Sequence, residues 1–474
     1  MNSGAEVTFH LLPKDPILTD RPEFIEANGK GRFDEHPSLI SVQTSKTMGG
    51  SAGTFTITMK PGKVDPYDYL LDDDWVDIVF YKYDKKFHSM RGLIDEVRRE
   101  RMVSGTGATQ EVVVVTGRDF QKVFETTPIW FNPFSGENVE GAAALKVFST
   151  FQDVTQIPVP DMVKAFLFNF VKDQGDKGRS NWIPPDTLPG VTAGAGIVDS
   201  LTFDPGLFVN DPERVALSFN FLMPNGTAWS IAQEWCDPMF VELYCDLLPI
   251  DGGQLAQPTS VNIDESKMHV IVRTRPLPTV AEGANSIYFS LPQWILPRTG
   301  IVSESVGRNG FERFNSFFVQ PALVQEIIGQ GGIDMLQPLW HTDDINKHGL
   351  RRFDVISRYT SPKADLLGLS EKQRTNIRDW YALNPYLLSG TIGTGFGAPE
   401  CRVGHRILIP GDASEDDDLN FYVESVQHDW QFGRGLRTNL GVTRGWKGTD
   451  DQYIDALTAM TDGYSSPGRA TAGE

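Results

Sequence analysis

Cysteine is nearly absent from this chain: three residues in 474, Cys236, Cys245 and Cys401. An odd, sparse set in apolar surroundings argues against a disulfide framework and predicts buried free thiols in a protein made in a reducing cytoplasm. Basic residues are in deficit too, 43 Lys and Arg against 62 Asp and Glu, for a formal net charge of −19. That balance disfavours phosphate-driven binding to DNA or to anionic lipid as a primary task. Long hydrophobic runs are also missing. No stretch approaches the ~18–20 uncharged apolar residues of a membrane helix, and the opening MNSGAEVTFHLLPKDP has no basic start followed by an apolar segment. The expectation is a chain without stable membrane insertion and without a classical secretory leader.

Signatures of chemistry are equally scarce. GTIGTGFGAP at 390–399 is dense in glycine, but Gly390, Gly393, Gly395 and Gly397 fit neither the dinucleotide fingerprint nor the phosphate loop. A close-packed or flexible loop is the expectation. DASEDDDLNFYVE at 412–424 has acids at Asp412, Asp416 and Asp418, yet a calcium loop needs Gly where Asp417 stands and Glu where Val423 stands. A hairpin loop fits better. In HTDDINKH, His341, Asp343, Asp344 and His348 are spaced unlike common zinc sites, and the aspartates suit the positive end of a short helix. The triplet Asp72–Asp74 reads as a solvated turn before a strand. No G-x-S-x-G nucleophile motif is expected, and no Cys-His pair is recognisable by spacing. No catalytic residue, cofactor-binding residue or metal ligand is assigned, no cofactor is expected, and the interface residues stay unknown.

What the chain does have is 45 Gly and 30 Pro punctuating short alternating segments, and 40% hydrophobic residues, enough for real cores in about three domains. Residues 38–46 alternate, and 53–60 do so cleanly, with Phe55, Ile57 and Met59 on one face and Thr54, Thr56 and Thr58 on the other. The runs 74–83, 87–101 and 111–119 are rich in β-branched and aromatic residues. These five predict one antiparallel sheet or small barrel, closed by a short helical stretch at FQKVFE, in a first domain over 1–125.

Residues 126–225 are Pro- and Gly-rich, with helical spacing at 140–151 and 160–175, and are expected to form an inserted helical, loop-rich domain. Thr227 is a candidate N-cap for a helix in which Ala228, Ile231, Ala232 and Trp235 share a face. Strands follow at 239–249, where Val241, Leu243, Cys245 and Leu247 alternate, and at 268–278. Further strands are expected at 301–307 and 313–321, a helix near 370–383, and an antiparallel meander between 401 and 446. A second β domain with insertions thus spans 226–450, its stretch 321–370 unassigned, and 451–474 is a C-terminal tail. The fold class is mainly β with α+β insertions: two tube-like antiparallel β-barrel or sheet domains plus the helical, loop-rich insertion.

Three stretches in this order resemble the central baseplate hub proteins of contractile-tailed bacteriophages, the late control protein D group and the hubs of contractile injection systems. They are KPGKVDPYDYLLDDDWVDIVFYKYDKKFHSMRGLIDEVRRE with VVVVTGRDFQKVF, then TAWSIAQEWCDPMFVELYCD, then GAPECRVGHRILIP with FYVESVQHDWQFG and RTNLGVTRGW. The resemblance implies a homotrimer in which each protomer contributes two tube-like domains. The resulting pseudo-sixfold ring would adapt a sixfold tail tube to a threefold central spike, with strand edges pairing between domains. It further implies a tail tube protein or tube initiator above, a spike below, wedge proteins around, and DNA passing without specific binding. The location would be the tail baseplate of a virion, after assembly in the bacterial host cytoplasm. The function implied is structural, not enzymatic. Residues 126–225 and 321–370 have no counterpart in the resemblance. A carbohydrate-active or cell-wall-degrading tail enzyme and a receptor- or glycan-binding tail protein are the alternatives from other classes.

Overall fold

The computed structural model describes residues 3–11, 24–29, 38–61, 65–83, 85–103, 109–129, 157–164, 166–167, 206–210, 215–217, 226–248, 250–251, 254–255, 267–321, 324–329, 336–361, 365–411 and 417–466. Its main feature is one 13-stranded, mostly antiparallel sheet built by both ends of the chain. The N-terminal part supplies β1 (Ser3–His10), β2 (Phe24–Gly29), β3 (Leu39–Thr47), β4 (Thr54–Met59), β5 (Trp75–Lys82), β6 (Lys85–Val103) and β7 (Thr109–Asp119). Later segments supply β8 (Gln293–Ile295), β9 (Ile301–Arg308), β10 (Leu388–Thr394), β11 (Arg406–Ile409), β12 (Leu419–Gln431) and β13 (Gly435–Lys447). The path runs β9-β10-β13-β12-β3-β4-β7-β6-β5-β1-β2, with β11 beside β12 and β8 beside β11.

Period-two patterning explains the first unit. In β4 the residues Phe55, Ile57 and Met59 are buried while the threonines between them face outward. β1 and β2 add Ala5, Val7 and Phe9, then Ile25 and Ala27, to the same interior. These two strands join the five that the alternation predicted. The sheet curls until β2 returns to the start of β3, where the Asn28 amide donates to Ser38 Oγ at 3.0 Å.

The second unit curls around its own core, which includes Ile392, Ile407, Phe421, Val423, Leu440 and Val442. The meander expected between 401 and 446 is present as β11, β12 and β13, with 401–405 outside any strand. The glycine-rich stretch becomes strand β10 and the turn after it. A side chain at Gly390 would run into the Ser305 carbonyl of β9, and Gly397 has φ +67°, so close packing and backbone conformation account for both glycines.

A second layer lies against this sheet. The strand Val241–Leu248 pairs with Lys267–Thr274, which pairs in parallel with Gly206–Asn210. The helix Ala228–Trp235 is closed at its start by Thr227 and Ser230, whose side chains reciprocally bind backbone amides. Its buried face and the strand's Val241, Leu243, Cys245 and Leu247 form the largest core, with Trp75, Leu93, Phe120 and Phe124 of the first unit.

Residues 313–321, expected as a strand of the second β unit, form the centre of a separate four-stranded sheet, Arg352–Ile356, Ser316–Gln320, Leu339–His341 and Tyr464–Ser465. The region read as a tail carries the helix Asp450–Thr461, capped by Thr449 and Gln452. The helix expected over 140–151 lies outside the described residues; of the one expected over 160–175, Val159–Lys164 is described as helix. The chain is therefore mainly β with helical insertions. All three cysteines are free and buried. No helix among the described residues is long and apolar enough to cross a membrane.

Candidate functional site, an assembly seam and a free edge

The two units meet strand to strand. β12 is 13 residues long and serves two neighbours in turn: Leu419–Tyr422 pair with β11, and Ser425–Gln431 pair antiparallel with β3, from Ser425 opposite Thr47 to Gln431 opposite Ser41. Against β13 the register shifts within the first half, at Asn420/Tyr422, and again between the halves, at Val423/Ser425, where the strand passes from one partner to the other. Backbone bonds from Met48 N to Glu424 O (2.8 Å) and from Phe432 N to Ile40 O (2.8 Å) extend the seam at both ends.

Side chains along the seam grade from apolar to charged. Trp430, opposite Val42, is buried in the core of the first unit with Leu436, and its Nε1 reaches the Ser3 carbonyl at 3.5 Å. A side chain on Gly29 would collide with the Trp430 indole, so β2 passes there only as glycine. Next come His428 and Thr44. His428 Nδ1 lies 2.9 Å from Thr438 Oγ1, which accepts from the Ala398 amide at 2.8 Å, and Thr44 Oγ1 lies 3.2 Å from Ser89 Oγ. Last is Lys46, whose Nζ is 2.5 Å from Asp119 Oδ2 and 4.0 Å from Asp246 Oδ1, where β3, the end of β7 and the second layer converge. Burial opposes charge on Lys46, but Asp119 and Asp246 outweigh it and hold the ammonium pKa above its ordinary value.

The second layer is bound through an enclosed polar network. Fully buried Arg273 donates from Nε to Glu242 Oε2 (2.7 Å) and from Nη2 to Tyr422 OH (3.0 Å) and the Gly404 carbonyl (3.2 Å). Tyr422 OH completes the ring by donating to Glu242 Oε1 at 3.0 Å. Alternation in 241–248 predicts a half-buried strand, whereas all eight residues are buried, because Glu242, Tyr244, Asp246 and Leu248 face the main sheet.

One long edge is left open. β9 pairs with β10 on one side, and no strand among the described residues pairs with the other. Its pattern is exposed from Val302 to Ser305, and Val302 and the neighbouring Ile295 and Phe396 are 68%, 65% and 46% accessible.

Residues with candidate chemistry are engaged in structure. His341 caps the helix Thr342–His348 by accepting from the Asp344 amide, and the Asp344 carboxylate is held by Arg313 at 2.8 Å and Asn315 at 3.0 Å. Asp343 and Asp344 thus lie in the first helical turn, as the sequence predicts. Of the acidic loop, Asp412 and Asp416 lie outside the described residues; Asp418 accepts from the Gly411 amide, and Asp417 pairs with Lys447 at 3.6 Å.

The triplet at 72–74 is not one solvated turn. Asp72 is exposed, Asp73 binds Lys122 at 2.6 Å, and buried Asp74 accepts from the Leu71 amide. A G-x-S-x-G pattern does occur, at Gly49–Gly53, but it forms the turn between antiparallel β3 and β4 instead of a strand-to-helix elbow. No group of three metal-ligating side chains converges among the described residues.

Against solved structures, the chain aligns with the tail protein of Neisseria meningitidis MC58 over 93% of its length and 96% of that chain, with a TM-score of 0.50 and 13% identity. The fold is shared with a tail protein. At that identity the correspondence is one of fold. Further alignments are to the 43 kDa tail protein of prophage MuSo2 from Shewanella oneidensis (TM-score 0.44, 9% identity, 95% and 98% covered) and to a component of the E. coli type VI secretion system (TM-score 0.36, 8% identity, 88% and 78% covered). No protein-family model and no curated protein matches the sequence.

Removing one partner of the Glu242–Arg273 pair strands a buried charge and costs about 3–5 kcal/mol. Glu242→Leu or Arg273→Met should therefore lower the unfolding free energy by that much, and the double variant by distinctly less; additive losses in denaturant titrations would contradict this.

Two buried histidines make stability depend on acid. Burial, then the charge of Arg402, lowers the His428 pKa to about 3; burial, then Arg273 and Arg402, does the same for His405, whose Nδ1 accepts from Trp294 Nε1 at 3.0 Å. Both values lie below the unfolded one, so their stabilisation is complete above pH ~6.5 and is lost as pH falls toward 3, at up to ~1.4 kcal/mol per histidine per pH unit. Melting curves of His428→Asn should lose less stability between pH 6.5 and 5 than those of the parent; equal losses would contradict the assignment.

Proposed function

We propose that this chain is the central hub of a contractile-tail baseplate, a structural protein that acts by assembly and not by catalysis. The observation that carries the reading is the fusion of two curled β units into one sheet through the β3–β12 seam, in a fold shared with a tail protein over nearly the whole of both chains. Three copies of a two-unit protomer supply six similar units, which is what a component between a sixfold tube and a threefold spike requires. In this reading the homotrimer stacks under a tail tube protein or tube initiator and on a central spike, and wedge proteins surround it. It resides in the virion's tail baseplate after assembly in the host cytoplasm. DNA passes through the ring without specific binding, and the formal charge of −19 disfavours its sticking to the wall.

Light scattering on the purified full chain, alone and with the co-encoded spike and tube proteins, tests the reading. Three copies per particle, alone or after spike addition, are expected. A chain that stays monomeric with both partners present overturns it.

A further inference from the structure

The open edge of β9 does not end in solvent. Its last residue, Arg308, lies opposite Leu388 of β10, which lies opposite Gly445 of β13, and all three line one groove of about 470 Å³. The far wall is the outer face of the helix Asp450–Thr461, where Ala456, Ala459 and Met460 leave room, and the floor is completed by Leu383 and Trp446. Tyr386, 45% accessible, stands at the rim.

Charge is distributed unevenly around this apolar trough. Among the described residues, the charged ones lining it are Arg308 and Lys447, both exposed, and no carboxylate lines it, in a chain with 19 more acids than bases. Lys447 reaches Asp417 at 3.6 Å in an exposed pair that solvent screens. Arg308 has no ion-pair partner among the described residues. A groove of this volume is in the range that encloses a few side chains. An unpaired strand edge leading into such a groove is the geometry of strand addition, in which main-chain bonds give affinity and pockets select side chains.

We propose that β9 and this groove together receive an extended acidic segment of a partner protein. The segment adds to the outer edge of β9 as a strand. Its next residues then set an aromatic or aliphatic side chain over Trp446 and Ala459, and carboxylates against Arg308 and Lys447. The proposal does not rest on the hub reading, since it concerns one protomer and a segment that binds it.

The test uses the full chain and two fluorescent synthetic peptides, one with an alternating Thr-Val stretch followed by Glu-Asp-Phe, the other identical except for Lys-Lys in place of Glu-Asp. Fluorescence anisotropy should show saturable binding of the acidic peptide and at least about tenfold weaker binding of the basic one, a difference of ~1.4 kcal/mol or more. Ala459→Trp, which fills the groove from an exposed helical position, and the double variant Arg308→Glu/Lys447→Glu should each weaken the acidic peptide by about tenfold or more while melting like the parent. Proline in the Thr-Val stretch should also weaken it, because strand addition needs the backbone amides.

Equal binding of the two peptides, or binding indifferent to both variants, overturns the proposal. Binding retained by the proline peptide assigns the groove to an isolated anionic side chain and overturns the strand. If the acidic peptide fails to bind and the charge-reversal variant instead lowers the mass of an assembly of this chain, the occupant is a second copy and the partner segment is excluded.

Discussion

Everything in this molecule depends on one strand having to satisfy two neighbours. β12 gives its first residues to β11 and its last seven to β3, and the register shift at Val423/Ser425 lies where it turns from one unit to the other. The two halves of the chain are thus joined by main-chain hydrogen bonds. The seam is covered on one face by the Trp430 side chain in the first unit's core and, further along, by the ion pair of Lys46 and Asp119. Two independently folded domains could slide or hinge. Two units sharing a strand ladder hold a fixed spacing and twist.

The second layer adds a different kind of specificity. Burying Glu242 and Arg273 against the main sheet is expensive unless their polar atoms find partners, and the ring through Tyr422 supplies them to Arg273 Nε and Nη2 and to both Glu242 oxygens, leaving Arg273 Nη1 without one. An apolar contact would tolerate a shift of register, whereas this network forms in one register. Attachment at the other end follows similar chemistry: Arg406 stacks over Tyr288 at 4.9 Å and forms an ion pair with Asp450 at the start of the C-terminal helix. Arg444 lies 4.0 Å over Trp380 on the helix Leu366–Ala382. Arginine on aromatic faces couples the helices to the sheet while keeping the charge solvated by π electrons and carbonyls.

Much of this was legible from residue periodicity. The alternation in β4 and the apolar spacing after Thr227 map onto the strand and helix observed, because one face of each is buried and the other is not. Strand 241–248 shows where periodicity stops being informative: Glu242 and Asp246 look the same in a sequence whether they face water or a buried partner, and the partners lie 31 residues away at Arg273 and far upstream at Lys46. The seam shares this property, since nothing local marks Ser425–Gln431 as pairing with residues some 380 positions earlier. Other features carried a usable signal. Ala5, Val7 and Phe9 alternate in β1, and Thr449 with Gln452 spells a helix start at the point assigned to a tail. The free edge of β9 was legible as a strand only; that it lacks a neighbour is a property of the whole sheet.

The shared sheet is tested most directly by native-state hydrogen exchange read at individual amides. If the seam binds the two units into one cooperative body, the hydrogen-bonded amides of 41–47 and 425–431 exchange together, in the slowest class, through global unfolding. Exchange of the seam amides through a smaller opening, with β4 and β13 still protected on either side, would show two separable domains in contact and contradict the account.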